Sequence, residues 1–246
     1  MSQGPGQAAS PKNSGEYSGE PVPADWLKWL LSTAILALVA AGFTLVIRSN
    51  DLLAGEQTLT RWFSKLDVIG VRTVVDFLDF ISEDTVAPVI FVLIIPVVWF
   101  AWGRYAALTY FATGGISALT RIIDLASRPR PNAELEWSDA VFGSGGYPSG
   151  HVVYAVVVFG ILTHLAGVYM KPGRARFALR VFLVSLIVTM GPARIIELDH
   201  WAMDVIGSYL LALPFLLIAM WVHPRLPGWL SGAPKLRSLI GADRGF

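Results

Sequence analysis

From Trp29 to Ile47 the chain runs for 19 residues without a Lys, Arg, Asp or Glu. At 1.5 Å per residue that is long enough for a helix to cross the hydrocarbon core of a bilayer. A backbone surrounded by lipid must satisfy its own hydrogen bonds, so a run of this kind leaves the chain little choice but helix. A second charge-free run of 19 residues extends from Thr85 to Gly103, and a third starts at Tyr105 and continues to Arg121. Residues 140–170 carry no Lys, Arg, Asp or Glu and leave room for a fourth helix after the turn sequence FGSGGYPSG. The fifth run, between Arg180 and Arg194, is short enough that Arg180 must snorkel or line a protein interior. The sixth spans Val205 to Pro224. The expectation is an all-α integral membrane protein with six transmembrane helices in one bundle.

Composition removes the competing classes. Only 15% of residues are charged, against about 25% in soluble domains. A net charge of +1 lacks the basic excess of a nucleic-acid binder, and a mean hydropathy of +0.56 is incompatible with an acidic, disordered chain. With no Cys there is no disulfide framework, thiolate metal site or cysteine nucleophile. Residues 1–25, rich in Gly, Pro and Ser, are expected to form a disordered cytoplasmic tail, residues 26–223 the membrane domain, and residues 224–246 a C-terminal cytoplasmic tail.

Between the first two runs the pattern changes. Trp62, Leu66 and Ile69 fall at i, i+4 and i+7, as do Val71, Val75 and Leu78, with Arg72, Asp76, Asp79 and Glu83 on the opposite helical face. This segment is expected to form one or two amphipathic helices, lying along the membrane interface or packed on the bundle. A cytoplasmic N-terminus puts 11 Lys and Arg on that side and 8 on the other, where 3 are assigned to chemistry below. The positive-inside rule then places both termini in the cytoplasm, in a multi-pass plasma-membrane protein.

The charges that interrupt the apolar runs are the informative ones, because ionisable groups at membrane depth are costly. They form three clusters. RIIDLASRP ends the third run with Arg121 and Arg128; YPSGH opens the fourth with Ser149, Gly150 and His151; ARIIELDHWAMD joins the fifth and sixth with Arg194, His200 and Asp204. Counting crossings puts all three on the extracytoplasmic face. Converging guanidinium groups repel unless a multiply charged anion sits between them, and their planar forks match phosphate oxygens. The N-terminus of the fourth helix adds backbone N–H groups that favour an anion. His200 and Asp204 are spaced i, i+4, so on a helix the carboxylate would orient one imidazole nitrogen and leave the other as a nucleophile. His151 remains to protonate a leaving oxygen. Such a set describes phosphoryl transfer through a phosphohistidine, with no metal and no cofactor. His164 and His223 lack partners at useful spacing and are assigned to structure. Asp124 sits between the first-cluster arginines, while Glu197, Asp199 and the loop residues Glu134, Glu136 and Asp139 are expected to be solvated.

In order and spacing the clusters resemble the three motifs of the type 2 phosphatidic acid phosphatase (PAP2) superfamily, which also contains vanadium haloperoxidases and glucose 6-phosphatase. The resemblance runs from about Arg121 to Asp204. It implies that Arg121, Arg128 and Arg194 bind phosphate together with Ser149 and Gly150, that His200 is the nucleophile oriented by Asp204, and that His151 is the general acid. Arg121 stands where Lys is commoner in the family, and Ala193 where Ser often precedes the third-motif Arg. The implied substrate is a lipid phosphate or diphosphate of the undecaprenyl diphosphate, phosphatidylglycerol phosphate or phosphatidate type, met at the bilayer. The alternatives are a lipid-diphosphate phosphotransferase of the same fold and a non-catalytic lipid transporter. No nucleic-acid partner is expected, and no motif specifies an oligomeric state.

Overall fold

The computed structural model describes residues 26–50, 52–122, 125, 126, 128, 130, 131 and 146–231. The expected N-terminal tail, residues 232–246, Asp124 and the acidic loop Glu134, Glu136 and Asp139 lie outside the described residues, as does the side chain of Arg121.

Among the described residues all the regular elements are helical. They run α1 (Trp26–Arg48), α2 (Glu56–Ser64), α3 (Ile69–Ser82), α4 (Val86–Trp102), α5 (Arg104–Ile122), α6 (Gly150–Tyr154), α7 (Gly160–Tyr169), α8 (Arg174–Ile196), α9 (Ala202–Val222) and α10 (Leu226–Ser231). A π-helical turn, Ala155–Phe159, joins α6 and α7 into one continuous helix, Gly150–Tyr169. This helix is apolar on every side, and a helix of that kind belongs inside a bundle. Every residue from Val152 to Leu162 is buried, and α5, α8 and α9 pack directly on the π turn. The outer helices have the opposite character. Along α1, Leu30, Leu31, Ile35, Leu38 and Leu45 are exposed, an apolar surface suited to lipid contact.

Among the described residues, four helices are long and apolar enough to cross a membrane by themselves: Trp26–Arg48, Gly150–Tyr169, Arg174–Ile196 and Ala202–Leu230. A fifth crossing is available if α3 and α4, which meet at 70°, act as one broken span. The six expected crossings are therefore met only in part. α4 has 17 residues, and α5 is diluted by hydroxyl side chains. Three of these, Thr109, Thr113 and Ser117, recur every four residues and are all buried. The polar face of α5 is turned into the protein, where hydropathy alone undervalues it.

The segment between α1 and α4 is helical as expected, but its two halves bury different faces. In α3 the buried residues include Val75 and Leu78, the expected apolar face. In α2 the buried residues are Glu56 and Thr60, while Trp62 (56% exposed) faces outward, as do Leu66 beyond its end and Ile69 (91% exposed) at the start of α3. The inversion has a local cause: N–H groups at the start of α9 need acceptors, and Thr60 Oγ1 takes that of Ala202 (3.2 Å) while Glu56 Oε1 takes that of Met203 (3.3 Å).

After α9 the chain continues through a 3-10 turn at His223–Arg225 into α10, so residues 223–231 are helical. Arg225 lies 3.8 Å over the Trp221 ring and donates to the Trp221 carbonyl, which holds the turn. His223 bridges Thr109 (2.8 Å) and Tyr169 (3.1 Å), consistent with a structural role.

Candidate active site

The three clusters meet through backbone pairing as much as through side chains. After α5, Leu125 and Ala126 donate to the Tyr147 carbonyl (3.1 and 3.4 Å), and Gly146 donates to the Arg128 carbonyl (3.2 Å). This short antiparallel contact lays the end of the first cluster alongside the start of the second. Tyr147 precedes a cis peptide bond to Pro148, and its hydroxyl is paired with that of Thr44 on α1 (2.7 Å).

Before the third cluster the hydrogen-bond ladder of α8 is interrupted. Pro192 lies inside α8 and removes a backbone donor. One residue earlier the Tyr209 hydroxyl from α9 inserts into the ladder, donating to the Ile187 carbonyl (2.6 Å) and accepting from the Gly191 N–H (3.1 Å). Gly191 permits this close approach, since a Cβ there would lie 2.5 Å from Val205 and 2.7 Å from Tyr209. One turn later Arg194 is 1% exposed, and its carbonyl accepts the N–H groups of Asp199 (3.1 Å) and His200 (3.3 Å). Leu198, with φ of 60°, makes the reversal that these bonds close.

His200 is buried, and its Nδ1 lies 2.7 Å from the Gly146 carbonyl. A carbonyl oxygen can only accept, so Nδ1 carries the proton and Nε2 bears the lone pair. Burial pushes the imidazole pKa down to about 3, with Arg130 and Arg194 acting in the same direction and the bond to Gly146 opposing them. The ring is therefore neutral near pH 7.

This arrangement corrects the expected His200–Asp204 pairing. α9 begins only at Ala202, so the two residues do not share a helix face. Asp204 instead accepts from Arg128 Nη1 (2.5 Å) and from the Trp201 N–H (3.1 Å) at the start of α9. The residue that orients His200 is Gly146, through its backbone. A glycine carbonyl has no side-chain signature, which is why sequence spacing pointed to the carboxylate.

Arg128 is almost fully buried and forked onto Glu56, Nη1 to Oε1 at 3.2 Å and Nη2 to Oε2 at 2.6 Å. Burial works against its charge, but Glu56 and Asp204 outweigh that effect and raise its pKa. Arg194 is held by Asp79 of α3 (2.9 Å), by Asp199 (3.3 Å) and by Glu197. Glu197 and Asp199 are therefore guanidinium partners, not simply solvated. Burial raises the Glu197 pKa to about 7, with Arg194 opposing and Asp79 and Asp199 reinforcing the shift.

At the start of α6 the Ser149 N–H donates to Ser208 Oγ (2.7 Å), and Ser208 in turn donates to the Asp204 carbonyl (2.6 Å). That N–H is thus engaged within the protein and is not open to an anion as expected. The Ser149 hydroxyl is different: it is buried with no hydrogen-bond partner among the described residues. An orphaned donor of this kind fits an anion that arrives with the substrate. Gly150 and His151 follow in the first helical turn, both partly exposed.

The structure thus joins Arg128 to Asp204, Ser149 to α9 through Ser208, and His200 to the backbone before the second cluster. It adds Glu56, Asp79 and Gly146, none of which the sequence marked. Asp79 lies on the polar helical face read from the sequence and Glu56 on none read there, and only the tertiary fold brings both onto arginines.

A family model described as the PAP2 superfamily matches residues 102–227 of this chain. Among solved structures, the chain is similar to "the first transmembrane PAP2 type phosphatidylglycerolphosphate phosphatase from Bacillus subtilis", with a TM-score of 0.57 and 16% sequence identity over 76% of this chain and 93% of that one. A search of curated proteins finds no match.

Proposed function

The chain belongs to the PAP2 superfamily, and from that membership we propose that it is a membrane lipid phosphatase acting on a lipid phosphate or diphosphate through a phosphohistidine. The observation that carries the reading is the hydrogen bond from His200 Nδ1 to Gly146 in a buried, neutral imidazole. It leaves Nε2 as the nucleophile. Nε2 attacks phosphorus, the bond from phosphorus to the leaving oxygen breaks, and His151 gives that oxygen its proton. Arg121, Arg128, Arg194 and the Ser149 hydroxyl stabilise charge on the equatorial oxygens. Water then attacks the phosphohistidine, His151 takes its proton, and inorganic phosphate leaves. Asp204 acts by aligning Arg128, and Gly150 allows close approach to the phosphate.

In this reading α1, α4, α5, the α6–α7 helix, α8 and α9 make six crossings, with both termini cytoplasmic and the site on the outer face. The relative's phosphatidylglycerolphosphate is one substrate class to test, beside undecaprenyl diphosphate and phosphatidate.

The test is phosphate release by the purified protein over a panel of these lipids in the presence of EDTA. Release is expected with chelator present and is expected to vanish in His200→Ala. Release that needs a divalent metal, or that survives His200→Ala, overturns the mechanism. Recovery of the phosphate on a second acceptor instead of as free phosphate would make the chain a phosphotransferase.

A further inference from the structure

Glu56 lies outside all three clusters, more than 60 residues before the first of them. It is nevertheless 0% exposed, and four donors converge on its two oxygens. Oε1 accepts from Arg128 Nη1 (3.2 Å) and the Met203 N–H (3.3 Å), while Oε2 accepts from Arg128 Nη2 (2.6 Å) and the Leu53 N–H (2.9 Å). Only an ionised carboxylate can serve all four, because an amide in its place would turn a donor toward two other donors. The end-on fork fixes the plane of the Arg128 guanidinium. The bond to Met203 ties that plane to the first turn of α9, one residue from Asp204.

We propose that Glu56 is a positioning residue for phosphoryl transfer, setting the pose of Arg128 against the phosphate. The proposal rests on the reading of this site as one that transfers phosphate. Glu56 touches no reacting atom and reaches the phosphate through Arg128. The neighbouring Thr60, one helical turn on, bonds α9 through Ala202 but has no bond to Arg128, and so separates positioning from support of the helix.

The experiment compares full-length wild type, Glu56→Gln, Glu56→Asp, Thr60→Val, Arg128→Ala and the double variant Glu56→Gln/Arg128→Ala. Two quantities are measured: kcat/KM for lipid phosphate hydrolysis and the affinity for orthovanadate, a phosphate mimic. Glu56→Gln is expected to lose about tenfold or more in kcat/KM and to weaken orthovanadate binding, since a charge-assisted bidentate pair is lost. Glu56→Asp, which keeps the charge, recovers part of both. Thr60→Val stays within about twofold of wild type, and the double variant is no worse than Arg128→Ala, as coupled residues require. Additive losses in the double variant overturn the proposal, as does a loss in Thr60→Val equal to that of Glu56→Gln. If wild type releases no phosphate, the phosphatase reading fails by itself. The orthovanadate arm then decides Glu56, and equal binding by wild type and Glu56→Gln overturns its role. Wild type that neither hydrolyses lipid phosphate nor binds orthovanadate overturns both readings.

Discussion

Arg128 and Arg194, both buried, are each held by carboxylates from more than one element. A cation that has lost its water must find counter-charge nearby, and here Glu56, Asp204, Asp79, Glu197 and Asp199 supply it. His200 solves the same problem by staying neutral, and this has a measurable consequence. Its pKa is about 3 in the folded protein and about 6.5 when unfolded. Above pH 6.5 neither state is protonated, and the contribution of His200 to stability is fully present. Between pH 6.5 and 3 only the unfolded state takes up a proton, so stability falls as pH is lowered, with a slope approaching about 1.4 kcal/mol per pH unit. Thermal unfolding in detergent should therefore show the gap between wild type and His200→Asn constant from pH 8 to about 6.5 and narrowing below that. A gap that stays flat down to pH 5 would contradict the buried, neutral ring.

Among the elements, the end of α8 and the start of α9 depend on each other. Pro192 removes a donor from the α8 hydrogen-bond ladder two residues before Arg194, and the Tyr209 hydroxyl from α9 bridges the adjacent Ile187–Gly191 rung. Tyr209→Phe deletes one acceptor and one donor in a tight contact and leaves the Gly191 N–H without its partner. The expected cost is about 1–3 kcal/mol, or a Tm lower by roughly 2–12 °C in a chain of this size. Thermal denaturation of the purified variant measures it, and an unchanged Tm would show that the α8 break is tolerated without Tyr209. α2 plays a comparable part for α9, since its inward face is polar and its acceptors, Glu56 and Thr60, meet N–H groups of the first turn.

For the whole molecule, the arrangement brings the end of α5, the start of α6, the end of α8 and the start of α9 to one end of the bundle. Crossing number and orientation are open to direct measurement because the chain has no native Cys. Asp67, between α2 and α3, and Lys171, between α7 and α8, are both exposed. In intact cells Asp67→Cys should react with a membrane-impermeant maleimide, while Lys171→Cys should react only after permeabilisation. The reverse pattern would place the site in the cytoplasm.

What was legible in the sequence was whatever depends on short-range pattern. Bilayer-length apolar runs dictate helices, and the helix positions follow from them. The spacing of Arg128, Ser149, His151, Arg194, His200 and Asp204 was enough to mark the family. The tertiary structure decided what depends on which groups meet. His200 is oriented by the Gly146 carbonyl and not by Asp204, because α9 starts two residues too late for the helical spacing to apply. α2 buries Glu56 in preference to Trp62, because a buried Arg128 and the open N–H groups of α9 need an acceptor more than that side chain needs cover. Local periodicity reports which face of a helix is apolar. It does not report which unpaired charge elsewhere in the chain will claim the other face.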